Sequence, residues 1–317
     1  MKSTLRLIPS TLLLLLALSV RSYAWSDTGH MAVAYVTYSN LTLAARNRVD
    51  TLVRLNPSYN SWLQMIPPGA SPSTRKGLLF MIAATWPDQI KGDSQYVADG
   101  SAGGNIPPND GTADLNIGYS DRAMHKYWHF IDLPFSTDGT PLKRPSTPNA
   151  RTQIAAFRAV LASNSPDALK SYDLVWLLHI VVDVHQPLHS AARFSESSPK
   201  GDDGGNLVTV CDPQCGTRLH SFWDGLLGTS SDPAYALRVG RSLPQANPVL
   251  AAKLNADDWL RESFELAKST VYKPPVGQGD GPYSLTASYR KTASLLAAQR
   301  VSLAGARLAK ILNEELK

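Results

Sequence analysis

Apolar positions along this chain recur mostly at helical spacing. From residue 30 to residue 55, Ala32, Val33, Tyr35, Val36, Leu41, Leu43, Val49, Leu52 and Val53 fall near a 3.6-residue period, which predicts helix. Residues 76–86 are apolar on most sides, so a helix there belongs inside the protein, and Pro87 is expected to end it and expose Asp88. Residues 92–120 are rich in Gly, Asn, Asp and Pro and read as a loop long enough to suggest function. Tyr127 to Asp132 forms a short aromatic segment, extended or strand, before a second Pro-rich loop that runs to Asn149. Helical spacing returns at 153–162 and 167–186, the latter introduced by Ser165 as cap and Pro166 in the first turn. Residues 201–206 read as a tight turn entering a strand at 207–210, and further helices are expected at about 247–270 and 285–314. The pattern predicts a mainly α fold with long loops and a short β-hairpin, and nothing repeats at a fixed period.

The N-terminus changes what charge means here. Lys2 and Arg6 precede the apolar run Leu12 to Leu16, and Ser22-Tyr23-Ala24 places small residues where a signal peptidase inspects them. Residues 1–24 therefore read as a cleaved secretory signal, with a mature chain beginning at Trp25 and no membrane anchor. The whole chain carries +5, but that segment holds three cations and no acid, so the mature part carries only +2. Attraction for nucleic acid, if any, would be concentrated at a site rather than spread along a basic stripe. Some 290 mature residues can bury a sizeable core as one domain. Cys211 and Cys215 are the only cysteines; in an exported chain they read as one local disulfide, with zinc binding as the rival.

The candidate chemistry centres on residues 179–189, His-Ile-Val-Val-Asp-Val-His-Gln-Pro-Leu-His. On a helix, His179 and Asp183 share one face and can grip a metal. Pro187 cannot continue that helix, so His189 should swing away and serve a second ligand set. His220 and Asp224 repeat the spacing about thirty residues on. A lone histidine on an apolar face is usually a satisfied core residue, yet His30, His129, His179, His189 and His220 each stand beside an acid or in a buried-looking segment. His125 and His185 have no equally good partner in the sequence. Carboxylates inside Leu/Val/Trp surroundings are costly unless a cation lies beside them.

The chain carries, in order, Trp25 with His30 five residues on, Trp86-Pro-Asp88, His129-Phe-Ile-Asp132, His179-x3-Asp183-x-His-Gln-Pro-Leu-His189, Gly-Gly-Asn206 and His220-x3-Asp224. Taken together these motifs resemble the S1/P1 nuclease family of zinc-dependent secreted enzymes. The resemblance covers essentially the whole mature chain, 25–317, as one catalytic domain. It implies three zinc ions: one held by Asp88, His129, His179 and Asp183, a close neighbour held by Trp25, His30 and the shared Asp183, and a third held by His189, His220 and Asp224. Trp25 would bind through its own α-amino nitrogen and carbonyl oxygen. The implied reaction is hydrolysis of single-stranded DNA and RNA to 5′-phosphate products, with 3′-nucleotidase activity besides. Asp88 would orient the attacking water and Lys91 would meet charge on phosphorus. Phe130 and Asp132 resemble the family's base pocket, where stacking demands an unstacked base, and Asn206 would shape the loop beside the metals. A secreted or periplasmic monomer is expected. Two alternatives differ in kind. A zinc phospholipase C would carry Glu where Asp224 stands and would have no use for Phe130 and Asp132; a non-catalytic zinc protein would need no Lys91.

Overall fold

The computed structural model describes residues 25–316, so the signal expected at residues 1–24 lies outside the described residues. The first half of the chain folds as α1 (Asp27–Ser39), α2 (Leu43–Val53), α3 (Tyr59–Gln64), α4 (Pro72–Ala83), the single turn α5 (Trp86–Gln89), α6 (Ala150–Ala162) and α7 (Asp167–Asp183). The second half adds α8 (Leu219–Asp224), α9 (Pro233–Ser242), α10 (Pro248–Ala251), α11 (Ala256–Leu266) and the long α12 (Ala287–Glu315). Strand content is slight: β1 (Pro134–Ser136) lies parallel to β2 (Ala192–Phe194), and β3 (Thr209–Cys211) pairs antiparallel with β4 (Cys215–Arg218) and parallel with β5 (Tyr283–Ser284). Fold class is thus mainly α with one short hairpin, and a disulfide joins Cys211 to Cys215 across it. Among the described residues no helix is long and apolar enough to cross a membrane.

The helix α7 is buried from Ser171 through Asp183, as its unbroken apolar run requires. Around it Trp86, Trp128, Trp176, Tyr172 and Phe157 pack largely edge to face, with Trp128 and Trp176 centroids 5.0 Å apart. Edge-to-face rings of this kind hold α5, α6 and the segment around residue 128 to one face of α7. The C-terminal end of α7 is tied down differently. His185 donates Nδ1–H to the Val181 carbonyl at 2.7 Å and accepts from Arg307 of α12 at 2.9 Å, while Glu262 of α11 pairs with both Arg300 and Arg307. Burial first, and the two guanidiniums second, hold His185 neutral, well below its ordinary pKa.

Several expectations need correcting. Residues 30–55 are two helices, because Thr42 accepts from the Ala45 N–H and starts a second one after a break at residues 40–42. Pro87 opens the turn α5 rather than closing α4, and Asp88 on that turn is 3% exposed, not exposed to solvent. Tyr127 to Asp132 is no strand: Lys126–Trp128 is a 3₁₀ turn, with extended backbone only beyond it. Pro166 occupies the cap position of α7 itself. The 247–270 helix is divided into α10 and α11, each capped by an asparagine, at Asn247 and Asn255. His185, expected to lack a good partner, has the arginine just described. His125 is better served still: its Nε2 lies 2.7 Å from Asp121 and its Nδ1 3.0 Å from Asp99, and its ring stacks on Trp128 at 3.6 Å. The two carboxylates raise its pKa against the opposing effect of burial, which is the largest single influence. His125 therefore staples the 92–124 loop to the segment carrying His129.

Candidate metal centre

Three sets of buried donors converge in the described residues: His30, Asp88 and His179; His129, His179 and Asp183; and His189, His220 and Asp224. Each set draws on more than one element. α1 supplies His30, α5 supplies Asp88, α7 supplies His179 and Asp183 one turn apart, and α8 supplies His220 and Asp224. Pro187 does turn the chain, into a 3₁₀ turn at Pro187–Ser190 that delivers His189 to α8 rather than back to α7.

Backbone carbonyls fix the tautomers of three of these rings. His179 Nδ1 faces the Ala84 carbonyl at 2.7 Å, His189 Nδ1 the His129 carbonyl at 3.0 Å, and His220 Nδ1 the Gly204 carbonyl at 2.7 Å. A carbonyl only accepts, so each Nδ1 carries the hydrogen and each Nε2 a bare lone pair. Yet His189 Nε2 and His220 Nε2 lie 3.0 Å apart, and His179 Nε2 lies 3.0 Å from His129 Nδ1. The His189 and His220 lone pairs, facing each other in a dry interior, repel unless a cation sits between them. Nor can protonation supply one: burial depresses His30, His129, His179 and His189 well below the usual imidazole range and brings His220 to about 4.

The carboxylates make the same demand. Asp183 is fully buried; its Oδ2 lies 2.9 Å from His129 Nδ1 and 3.3 Å from His179 Nε2, and its Oδ1 lies 3.4 Å from His30 Nε2. The two oxygens of one carboxylate thus address two groups of imidazoles. Burial, then the nearby Asp88, pushes the Asp183 carboxyl well above its ordinary pKa, and burial does the same to Asp224. Asp88 Oδ2, Asp183 Oδ1, Asp224 Oδ2 and both His30 nitrogens are buried without a hydrogen-bond partner. In a tetrahedral zinc site, donors about 2.0–2.2 Å from the metal stand about 3.3 Å from one another. The observed separations of 2.9–4.0 Å, the longest of them to Asp88, bracket that value, so the donor set fits zinc.

A family model described as S1/P1 Nuclease matches residues 25–317. The chain belongs to the S1/P1 nuclease family. Among relatives of this S1/P1 chain, Endonuclease 4 of Arabidopsis thaliana is 33% identical over 122 residues, 36% of this chain and 37% of that protein. Nuclease S1 of Aspergillus oryzae is 24% identical over 235 residues, 72% of this chain and 62% of that protein. Endonuclease 3 of Arabidopsis thaliana is 25% identical over 251 residues, 79% of this chain and 69% of that protein. The chain thus spans under two thirds of the first two.

Within the S1/P1 frame, the residues singled out in the sequence gather into two neighbouring places. Trp25 is fully buried beside α1, and the Ser26 N–H donates to the Asp224 carbonyl at 3.1 Å, which brings the start of α1 to the end of α8. Lys91 Nζ lies 2.6 Å from Asp88 and 3.4 Å from His129 Nδ1, at the mouth of the donor cluster. Phe130 and Asp132 line a cavity of about 380 Å³ that opens beside it. Asn206 donates its amide to the Asp203 carbonyl at 2.9 Å in the turn that also receives His220.

Sequence reasoning passed over the residues that orient these ligands. Gln186 donates Nε2 to Asp224 Oδ1 at 2.9 Å while its own carbonyl accepts the Leu188 N–H, so it carries the turn after α7 to α8. Gly204 has φ +57°, and a Cβ there would come within 2.7 Å of the Leu188 carbonyl; only glycine lets its own carbonyl reach His220. Both stood inside motifs already quoted, so position in the motif was a signal even though neither side chain binds a metal.

Proposed function

We propose that this chain is a zinc-dependent, secreted phosphodiesterase that hydrolyses single-stranded DNA and RNA to 5′-phosphate products and removes 3′-phosphate from nucleotides. Residues 25–317 act as one catalytic domain. The observation that carries this reading is the pair of facing lone pairs on His189 and His220 together with the orphaned carboxylate oxygens, a donor arrangement that is unfavourable without cations and natural with them. The division proposed is Asp88, His129, His179 and Asp183 for one ion, Trp25, His30 and Asp183 for its neighbour, and His189, His220 and Asp224 for a third.

Zinc bound by these residues supplies Lewis-acid stabilisation of the phosphoryl charge and acidifies water enough to make it a nucleophile near neutral pH. The protein's part is positional. Asp183 holds the two histidine groups in register, and Gln186 fixes the face that Asp224 presents. Asp88 accepts a proton from, and orients, the attacking water. As water oxygen bonds to phosphorus the 3′-oxygen departs and takes up a proton, leaving phosphate on the 5′ side. Lys91 places an ammonium group beside Asp88, where negative charge on the phosphoryl oxygens grows. Phe130 offers a ring to an unstacked base and Asp132 a carboxyl to its N–H donors; a duplex, with its bases already stacked, meets neither.

Hydrolysis of single-stranded DNA measured beside hydrolysis of phosphatidylcholine tests the reading. Cleavage of DNA to 5′-phosphate ends, abolished by chelation, is expected. Lipid hydrolysis without DNA cleavage would assign the chain to phospholipase chemistry instead.

A further inference from the structure

The cavity beside the donor cluster has a second carboxylate that the motif residues do not include. Asp203 lines it together with Phe130 and Asp132, and Lys143, Arg144 and Lys200 stand at its edge. Neither carboxylate makes a side-chain hydrogen bond or a direct ion pair among the described residues, although three cations line the same space. After burial, Asp203 is the largest influence raising the Asp132 carboxyl, to about 7, and Lys143 opposes it, while burial raises Asp203 itself. Asp203 also sits at φ +53°, a left-handed backbone that few non-glycine residues adopt. It is held there by a rigid turn: the Gly205 N–H donates to the Asp202 carbonyl, the Asn206 N–H to the Asp203 carbonyl, and His220 to the Gly204 carbonyl. The turn that fixes a histidine of the metal centre therefore also fixes where Asp203 stands.

Resting on the nuclease reading above, the geometry points to Asp203 as a specificity-determining residue that, opposite Asp132, makes the base pocket favour guanine and disfavour uracil and thymine. The argument is one of donors and acceptors. At pH well above 7, where both carboxyls are ionised, they offer only acceptors. Guanine presents N1–H and N2–H₂ side by side, so its edge can satisfy both. Adenine and cytosine each present one amino group next to a ring acceptor. Uracil and thymine present a single N–H flanked by two carbonyl oxygens, so a carbonyl would be set against a carboxylate, acceptor against acceptor, across a cavity that Asp203 lines from its exposed side. The order expected is guanine, then adenine and cytosine, then uracil and thymine. Lys143, Arg144 and Lys200, uncommitted at the rim, are placed to follow the backbone of the strand whose base is inside.

The test uses the zinc-loaded mature protein and two readouts. The first is kcat/KM on the dinucleotides GpG, ApA, CpC and UpU. The second is the dissociation constant of guanosine and of uridine, which carry no phosphate to meet Lys91 or the histidines and so report on the pocket alone. Wild type should prefer GpG to UpU, and guanosine to uridine, by about tenfold, the scale of one good base-edge contact. Asn tolerates a left-handed backbone, so Asp203→Asn keeps the turn while replacing one oxygen by an N–H donor. That variant should lower GpG turnover and raise UpU turnover, narrowing both ratios severalfold. A preference that is absent in wild type, or a variant that loses GpG and UpU turnover in parallel, would overturn the proposal. No turnover on any dinucleotide, with guanosine still bound in preference to uridine, would support the pocket and overturn the nuclease reading.

Discussion

Replacing Asp183 by asparagine should move stability in opposite directions with and without metal. On the proposed division of ligands Asp183 is the carboxylate shared by two ions, so Asp183→Asn should empty both. At metal concentrations about a hundredfold above each dissociation constant, one site stabilises the fold by about 2.7 kcal/mol, so two lost sites amount to about 5 kcal/mol. For a chain of this size that is a fall of about 8 °C in Tm. In the metal-free protein the sign reverses. Asp183 is fully buried, its Oδ1 has no hydrogen-bond partner, and burial and Asp88 raise its carboxyl well above the usual range. A group whose folded pKa is raised in this way destabilises the fold as pH rises above its unfolded value of about 3.9, because the unfolded chain releases the proton and the folded one must keep it. Asparagine has no proton to keep, so the chelated variant should be more stable than chelated wild type by about 1–3 kcal/mol, and its advantage should grow from pH 4 towards neutrality. The assay is thermal unfolding of both proteins, with zinc and with chelator, alongside zinc per chain by elemental analysis. Destabilisation of equal size in both states would mean that Asp183 is a structural hydrogen-bonding residue and would refute its role as bridging ligand.

Three other outcomes are expected. Lys91→Ala should lower turnover on single-stranded DNA about a hundredfold while zinc content stays at the wild-type value, since its ammonium lies at the mouth of the cluster and binds no metal; unchanged turnover would remove it from the reaction. A chain made with a methionine retained before Trp25 should lose one zinc and most activity, because an amide nitrogen is a poor donor where an α-amine is a good one, and equal zinc and rates in the two forms would refute the N-terminal ligand. His125→Phe should destabilise the protein most at low pH. The folded pKa of His125 is raised, so its stabilisation is complete below about pH 6.5 and fades as pH rises through the folded value; a stability gap between variant and wild type that widens between pH 6 and 9 would contradict this.

The chemistry of the centre was legible because it is carried by spacing. His179 and Asp183 are one helical turn apart in any helix, and so are His220 and Asp224, so their pairing needed no tertiary information. Pro187 announced the turn that sends His189 elsewhere. What stayed hidden depends on loops meeting loops. His125 seemed unpartnered because Asp99 lies 26 residues away and Asp121, though only four away, approaches through a left-handed residue at position 125 rather than along a helix. Lys143, Lys200 and Asp203 come from three irregular segments, and no periodicity brings them to one cavity. Helix boundaries failed for a local reason: Thr42 and Asn255 are strong caps, and each cut a longer periodic stretch in two. The helix Pro233–Ser242 was passed over although Asp232 as cap and Pro233 in its first turn signal it.

The central claim is that eight buried imidazole and carboxylate groups are the mould of a zinc centre that cleaves nucleic acid strands. It is tested most directly by linearisation of a circular single-stranded DNA with chelated protein into which zinc is titrated. The account predicts no cleavage without metal and a rise that levels off at about three zinc per chain, two in the close pair and one between His189 and His220. Undiminished cleavage by protein shown to hold no metal, or no cleavage at any zinc level, would contradict it.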